Sequence, residues 1–130
     1  MTHLTDKAQR GVEAIADMLG PERAEALEAF ALTENFGARL TREALEFCYA
    51  DKWEGGSLSR RDKSLLLIGA LVALKQPGEL ANHVRLGLAN GIAAEELEVV
   101  LLHLVAYVGF PAVSTASAAM REVLKETGPG

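Results

Sequence analysis

A chain of 130 residues, 49% hydrophobic and 24% charged, has the length and composition of a single soluble globular domain spanning 1–130. Thirteen Lys and Arg against eighteen Asp and Glu leave a net charge of -5, the wrong sign for a protein that binds by neutralising phosphates, so nucleic acid is not an expected partner. The lone Cys48 can form neither an internal disulfide nor a cysteine-based metal cluster, which suits a reducing cytoplasm.

The opening MTHLTDKAQRG has no apolar run behind its charged residues and does not read as a signal peptide, so a cytoplasmic location is expected. From Asp6 to Leu19, Val12, Ile15, Met18 and Leu19 recur at three- and four-residue spacings and predict an amphipathic helix, stopped by Gly20. Pro21 suits a first helical position, and Leu27, Phe30 and Ala31 oppose a face of Glu22, Glu25 and Glu28, predicting a second helix to about Glu34. Thr41 can cap a third, carrying Leu45, Cys48 and Tyr49, before Gly55-Gly56 breaks the periodicity.

Ser59 with Asp62 three residues on resembles a weak capping box and predicts the start of a long helix, apolar on nearly every face from Leu65 to Leu74. Pro77 opens a fifth helix, ended by Asn90-Gly91. Ala93 to Val108 forms a sixth, again apolar around most of its circumference; Gly109 ends it, and Pro111 begins a last helix to about Lys125. The apolar run from Leu97 to Val113 is interrupted by His103, Gly109 and Pro111 and falls short of the roughly 20 residues that span a bilayer, so a buried helix rather than a membrane segment is expected. No segment alternates strictly and no long repeat is visible: the fold class is all-α, a small bundle of about six to seven helices. Two helices with all-round apolar surface are hard to cover in so short a chain, which points to a homo-oligomer.

The segment Gly78-Glu79-Leu80-Ala81-Asn82-His83-Val84-Arg85 carries the most chemical information. Glu79 and His83 lie four apart on a predicted helix, so the carboxylate can orient the imidazole and support its protonation. The same spacing also describes an ordinary surface polar pair worth a few tenths of a kcal/mol. His103, within VVLLHLVAY, needs a partner if buried, because an unpaired buried polar group costs on the order of 1–3 kcal/mol. Either it is a core histidine bonded to a backbone carbonyl or to Tyr107, or it lines a pocket opposite His83. Two histidines and a glutamate could bind a divalent ion, but neither HxxxH nor HExxH occurs, and no metal is expected. Arg60, Arg61 and Lys63 crowd a helix start, where positive charge opposes the macrodipole; this hints at an anion, although a solvated charged turn is the commoner cause.

From about residue 58 to 124, RRDKSLLLIGALVAL followed by GELANHVRLGLANGIAAEELEVVLLHLVAYVGFPAVSTA resembles the carboxymuconolactone decarboxylase family, within the alkyl hydroperoxidase D-like superfamily. The shared features are an Arg before a Ser-Leu helix, Glu-Leu-x-x-His, an Asn-Gly turn and Tyr-x-Gly-x-Pro, in that order. FCYADKW is similar to the family's aromatic-Gly-Asp-x-Trp stretch. The resemblance implies an all-helical fold assembling as trimers or hexamers. Aligned on His83, Gln76 and Glu79 occupy the positions of the redox branch's two cysteines, so no thiol pair is present for peroxidase cycling.

The implied activity is cofactor-independent decarboxylation of a small carboxylated lactone such as 4-carboxymuconolactone, in the breakdown of aromatic compounds. His83 and Glu79 are then the catalytic candidates. Arg61, Lys63 and Arg85 are candidate ligands of substrate carboxylates, with His103, Trp53 and Tyr107 as further substrate-binding candidates. Phe47 stands where the decarboxylases have a His, Lys63 where they have an Arg, and Val108 where they have a Cys. A same-fold isomerase, dehydratase or cyclase, and a non-catalytic small-molecule-binding or scaffold protein, are the competing readings.

Overall fold

A computed structural model describes residues 3–126, and every regular element among them is helical. The elements are α1 (Asp6–Leu19), α2 (Pro21–Ala31), α3 (Ala38–Ala44) running into a π-helical segment (Leu45–Trp53), α4 (Arg60–Ala73), α5 (Pro77–Ala89), α6 (Ala94–Val108) and α7 (Phe110–Glu126). No helix among the described residues is long and apolar enough to cross a membrane. The chain forms two compact units that divide between Leu58 and Ser59.

In the first unit α1 packs against α2 and the π-helical segment. The Thr5 hydroxyl accepts from the Ala8 N–H at 3.0 Å and donates to Glu46 at 2.7 Å, capping α1 and tying it to the π-helical segment at once. Val12, Ile15 and Leu45 lead the buried cluster. Gly11 lets the two backbones touch: a Cβ there would lie 2.1 Å from the Leu45 carbonyl oxygen.

Helix α2 stops at Ala31 rather than near Glu34. Its last carbonyls are taken from outside the helix, Arg42 donating to Ala31 and Thr33 at 2.7 and 3.2 Å and the Thr33 hydroxyl to Phe30 at 2.7 Å. Helix α3 begins earlier than a Thr41 cap would place it, because Gly37 adopts a left-handed φ of 94° and turns the chain at Ala38. Thr41 lies inside the helix and donates back to the Gly37 carbonyl at 3.1 Å. The widened helical turn then carries the chain through Trp53, which stacks on Tyr49 with ring centroids 6.4 Å apart.

In the second unit the expected helix starts recur with their causes. Ser59 accepts from the Asp62 N–H at 3.0 Å, Pro77 occupies the first turn of α5, and Gly91 at φ 100° ends it. Glu96 accepts from the Ala93 N–H at 3.0 Å, half of a capping box, since alanine has no side chain to return the bond. Helix α5 packs on α4 and α7, and α6 on α7. Ile68, Val72, Leu80, Val84, Leu97, Met120 and Val123 form the core. Buried Ser64 accepts from Asn90 at 3.0 Å.

The two helices read as apolar all round are each buried on one face only. On α4, Ile68, Leu71 and Val72 are buried while Leu66 and Leu74 are exposed. On α6, Leu97 and Leu101 are buried while Val99, Leu102 and Tyr107 face outward. The run from Leu97 to Val113 is therefore half-covered in the isolated chain, not a buried helix.

Candidate active site

Pro77 pre-sets the first turn of α5, and one turn of helix places Glu79 and His83 on the same side, beside the buried stripe of Leu80, Val84 and Gly87. His83 is mostly covered, with 14% of its side chain exposed, whereas Glu79 is 63% exposed. Their closest approach, Nε2 to Oε2, is 3.9 Å: within ion-pair range but too long for a hydrogen bond. Burial is the larger influence on the imidazole and pushes its pKa below the ordinary 6.5; the Glu79 charge opposes this from a solvated position. The expectation that Glu79 supports protonation holds in sign, but burial prevails.

The candidate cations are engaged within the fold. Arg85 grips Glu126 with two hydrogen bonds of 2.8 Å and Asn82 with a third of 2.9 Å, fastening α5 to the end of α7. Glu126 raises the Arg85 pKa accordingly. Arg61 pairs with Glu96, joining the start of α4 to the start of α6. The hydrogen bond from Arg61, then the Ala93 N–H, holds the Glu96 carboxyl below the usual range. The positive charge crowded at the α4 N-terminus is thus partly answered from within the chain. Lys63 sits half-buried in the first turn of α4.

His103 is neither a core histidine nor the wall of an internal cavity in the isolated chain. It lies on the exposed side of α6 with its ring 5.5 Å from that of Tyr107, which is exposed as well. Trp53 belongs to the first unit, buried against Tyr49. Cavities of about 190 and 430 Å³ also open there, the first lined in part by Thr5, Arg42 and Glu46, the second by Lys7, Phe47 and Asp51. Neither is lined by Glu79 or His83. No group of three or more His, Cys, Asp or Glu among the described residues is placed to hold a metal ion.

Glu96 and Glu126, the anchors of two candidate substrate ligands, were not singled out from the sequence. Glu96 could have been found as the third residue of a helix whose cap lacks a side-chain acceptor. Glu126 lies 41 residues from Arg85, and no local pattern connects them.

The model of the carboxymuconolactone decarboxylase family matches residues 38–122. The chain belongs to that family. The matched region begins at α3, twenty residues before the motif-rich stretch, and so includes the π-helical FCYADKW segment. Over 120 residues the chain is 28% identical to a 4-carboxymuconolactone decarboxylase of Acinetobacter baylyi, covering 92% of this chain and 88% of that protein. Over 116 residues it is 27% identical to a nitrosuccinic acid decarboxylase of Metarhizium robertsii, covering 89% and 80%. Both relatives of this family member are named as decarboxylases, with different substrates.

Proposed function

We propose that this family member is a decarboxylase of a small activated carboxylic acid, 4-carboxymuconolactone being the first substrate to test, and that His83 supplies the proton that replaces CO₂. The observation that carries the assignment is the covered imidazole of His83 with the Glu79 carboxylate 3.9 Å away. The family match and two decarboxylase-named relatives supply the reaction class.

The two named substrates share a chemical feature. A carboxylate can leave when its bonding electrons delocalise into an acceptor, the carbonyl of an unsaturated lactone in one case and a nitro group in the other. The protein need only stabilise the delocalised anion and deliver a proton. A protonated imidazole partly withdrawn from water does both, since its charge attracts the developing anion more strongly there than in bulk solvent. Its lowered pKa also makes it a stronger acid once charged. Arg61 and Arg85 are committed to Glu96 and Glu126, so holding a substrate carboxylate with either would require opening an ion pair.

The pH dependence follows from the sign of the His83 shift. If the charged imidazole is the active form, kcat/KM for CO₂ release is level at low pH and falls as pH rises through a midpoint below 6.5. Removing the Glu79 charge leaves burial unopposed, so Glu79→Gln moves that midpoint to still lower pH while the low-pH plateau stays near the wild-type value. An absence of CO₂ release from 4-carboxymuconolactone would count against the substrate assignment, and a limb unmoved in Glu79→Gln against the role of Glu79.

A further inference from the structure

Asn82 precedes His83 on α5 and follows Glu79 by three residues, so all three lie on one side of the helix; Asn82 is exposed where His83 is mostly covered. The direction of its amide is set from the end of α7. Glu126 accepts two hydrogen bonds of 2.8 Å from Arg85, and the third guanidinium nitrogen donates to Asn82 Oδ1 at 2.9 Å. A guanidinium only donates, so the amide oxygen faces Arg85 and the N–H₂ turns away from it, to the solvent side. The positive charge on the oxygen also polarises the amide and strengthens its N–H₂ as a donor. Beside His83 there is thus a neutral hydrogen-bond donor of fixed direction.

We propose that Asn82 donates this N–H₂ to the oxygen on which negative charge gathers as CO₂ leaves, and that Arg85 and Glu126 are positioning residues acting through it. The proposal rests on the decarboxylase reading above. As the C–C bond breaks, its electron pair passes to the lactone carbonyl oxygen, or to a nitro oxygen in a nitro acid, and returns to carbon when His83 gives its proton. In the lactone that carbon adjoins the carbonyl, and in the nitro acid it bears the nitro group. The donor to oxygen must therefore stand next to the proton donor, as consecutive positions on one helix do. A neutral amide suits an oxygen that acquires its charge only during the reaction, since the bond strengthens as the charge develops; an arginine would favour the carboxylates already present.

The test pairs turnover with binding of the nitronate of 3-nitropropionate, which has the delocalised oxygens of the anion left when nitrosuccinate loses CO₂. Asn82→Ala should lower kcat for CO₂ release from 4-carboxymuconolactone by about 10²-fold, with KM within about twofold. In titration calorimetry it should weaken the nitronate about tenfold or more and leave 3-nitropropionate itself unaffected. Asn82→Asp keeps an oxygen for Arg85, so the melting temperature should hold while kcat falls as in the alanine variant. Glu126→Ala should lower kcat at unchanged KM, and Glu126→Gln should recover part of the loss. Turnover by either Asn82 variant at the wild-type rate, or a nitronate that the wild type fails to bind or binds no better than Asn82→Ala, would overturn the role of Asn82 while the decarboxylase reading stood. Wild-type kcat in Glu126→Ala would overturn the positioning role. Absence of CO₂ release by the wild type, with nitronate binding that depends on Asn82, would keep the anion site and remove the decarboxylation assigned to it.

Discussion

Replacing His83 by alanine is expected to lower kcat for CO₂ release by about 10²–10⁴-fold, the range in which a positioned general acid contributes. In barrier terms this is about 3–5 kcal/mol. The loss should fall on kcat more than on KM, because a proton donor at the reacting carbon contributes to the transition state and not to holding the intact substrate. His83→Asn separates two contributions: it retains a hydrogen-bond donor but has no titratable proton, so it should remain slow and lose the wild-type alkaline limb. The side chain flanks the core stripe rather than filling it, and the folded spectrum of either variant should match that of the wild type. Turnover by His83→Ala at the wild-type rate would remove His83 from the chemistry.

The second large effect is on stability. Helix propensity alone predicts that Gly→Ala within a helix stabilises by up to about 1 kcal/mol. At Gly11 the structure reverses that sign. The new Cβ would fall 2.1 Å from the carbonyl oxygen of Leu45, a backbone atom that cannot rotate aside. Either α1 or the start of the π-helical segment must retreat, opening the cluster of Val12, Ile15 and Leu45 between them. A cost of about 3 kcal/mol, at the upper end for overpacking, is expected in urea unfolding. Gly69 is the control, since it lies within α4 and an added Cβ there would meet nothing within 4 Å, so Gly69→Ala should gain about 0.5–1 kcal/mol. Equal effects at the two positions would show that the close approach at Gly11 is not what holds α1 in place.

Most helix boundaries were legible because their causes are local. Thr and Ser caps, Pro in a first turn and Gly at a helix end act within four residues, and Ser59, Pro77 and Gly91 behave as their types predict. Boundaries set by distant groups were not legible. Arg42 ends α2 from eleven residues away. The site divides similarly. The spacing of Glu79 and His83 placed them on one face, but which influence governs the imidazole depends on burial, and burial depends on how α5 packs. The partners of Arg61 and Arg85 are 35 and 41 residues away, so a sequence pattern left both arginines available as substrate ligands that the fold uses as ties.

The most direct test of the proton-transfer claim is the configuration of the product formed from 4-carboxymuconolactone in deuterated water. Loss of CO₂ from the γ-carbon leaves a dienolate, and protonation beside the lactone carbonyl then completes the enol lactone, with one new C–H bond replacing the C–C bond that broke. A proton delivered by His83 reaches one face only, so NMR should show a single deuterium in a single configuration and one CO₂ per product. Equal deuteration of both faces would mean that the anion is protonated by solvent, contradicting the role assigned to His83.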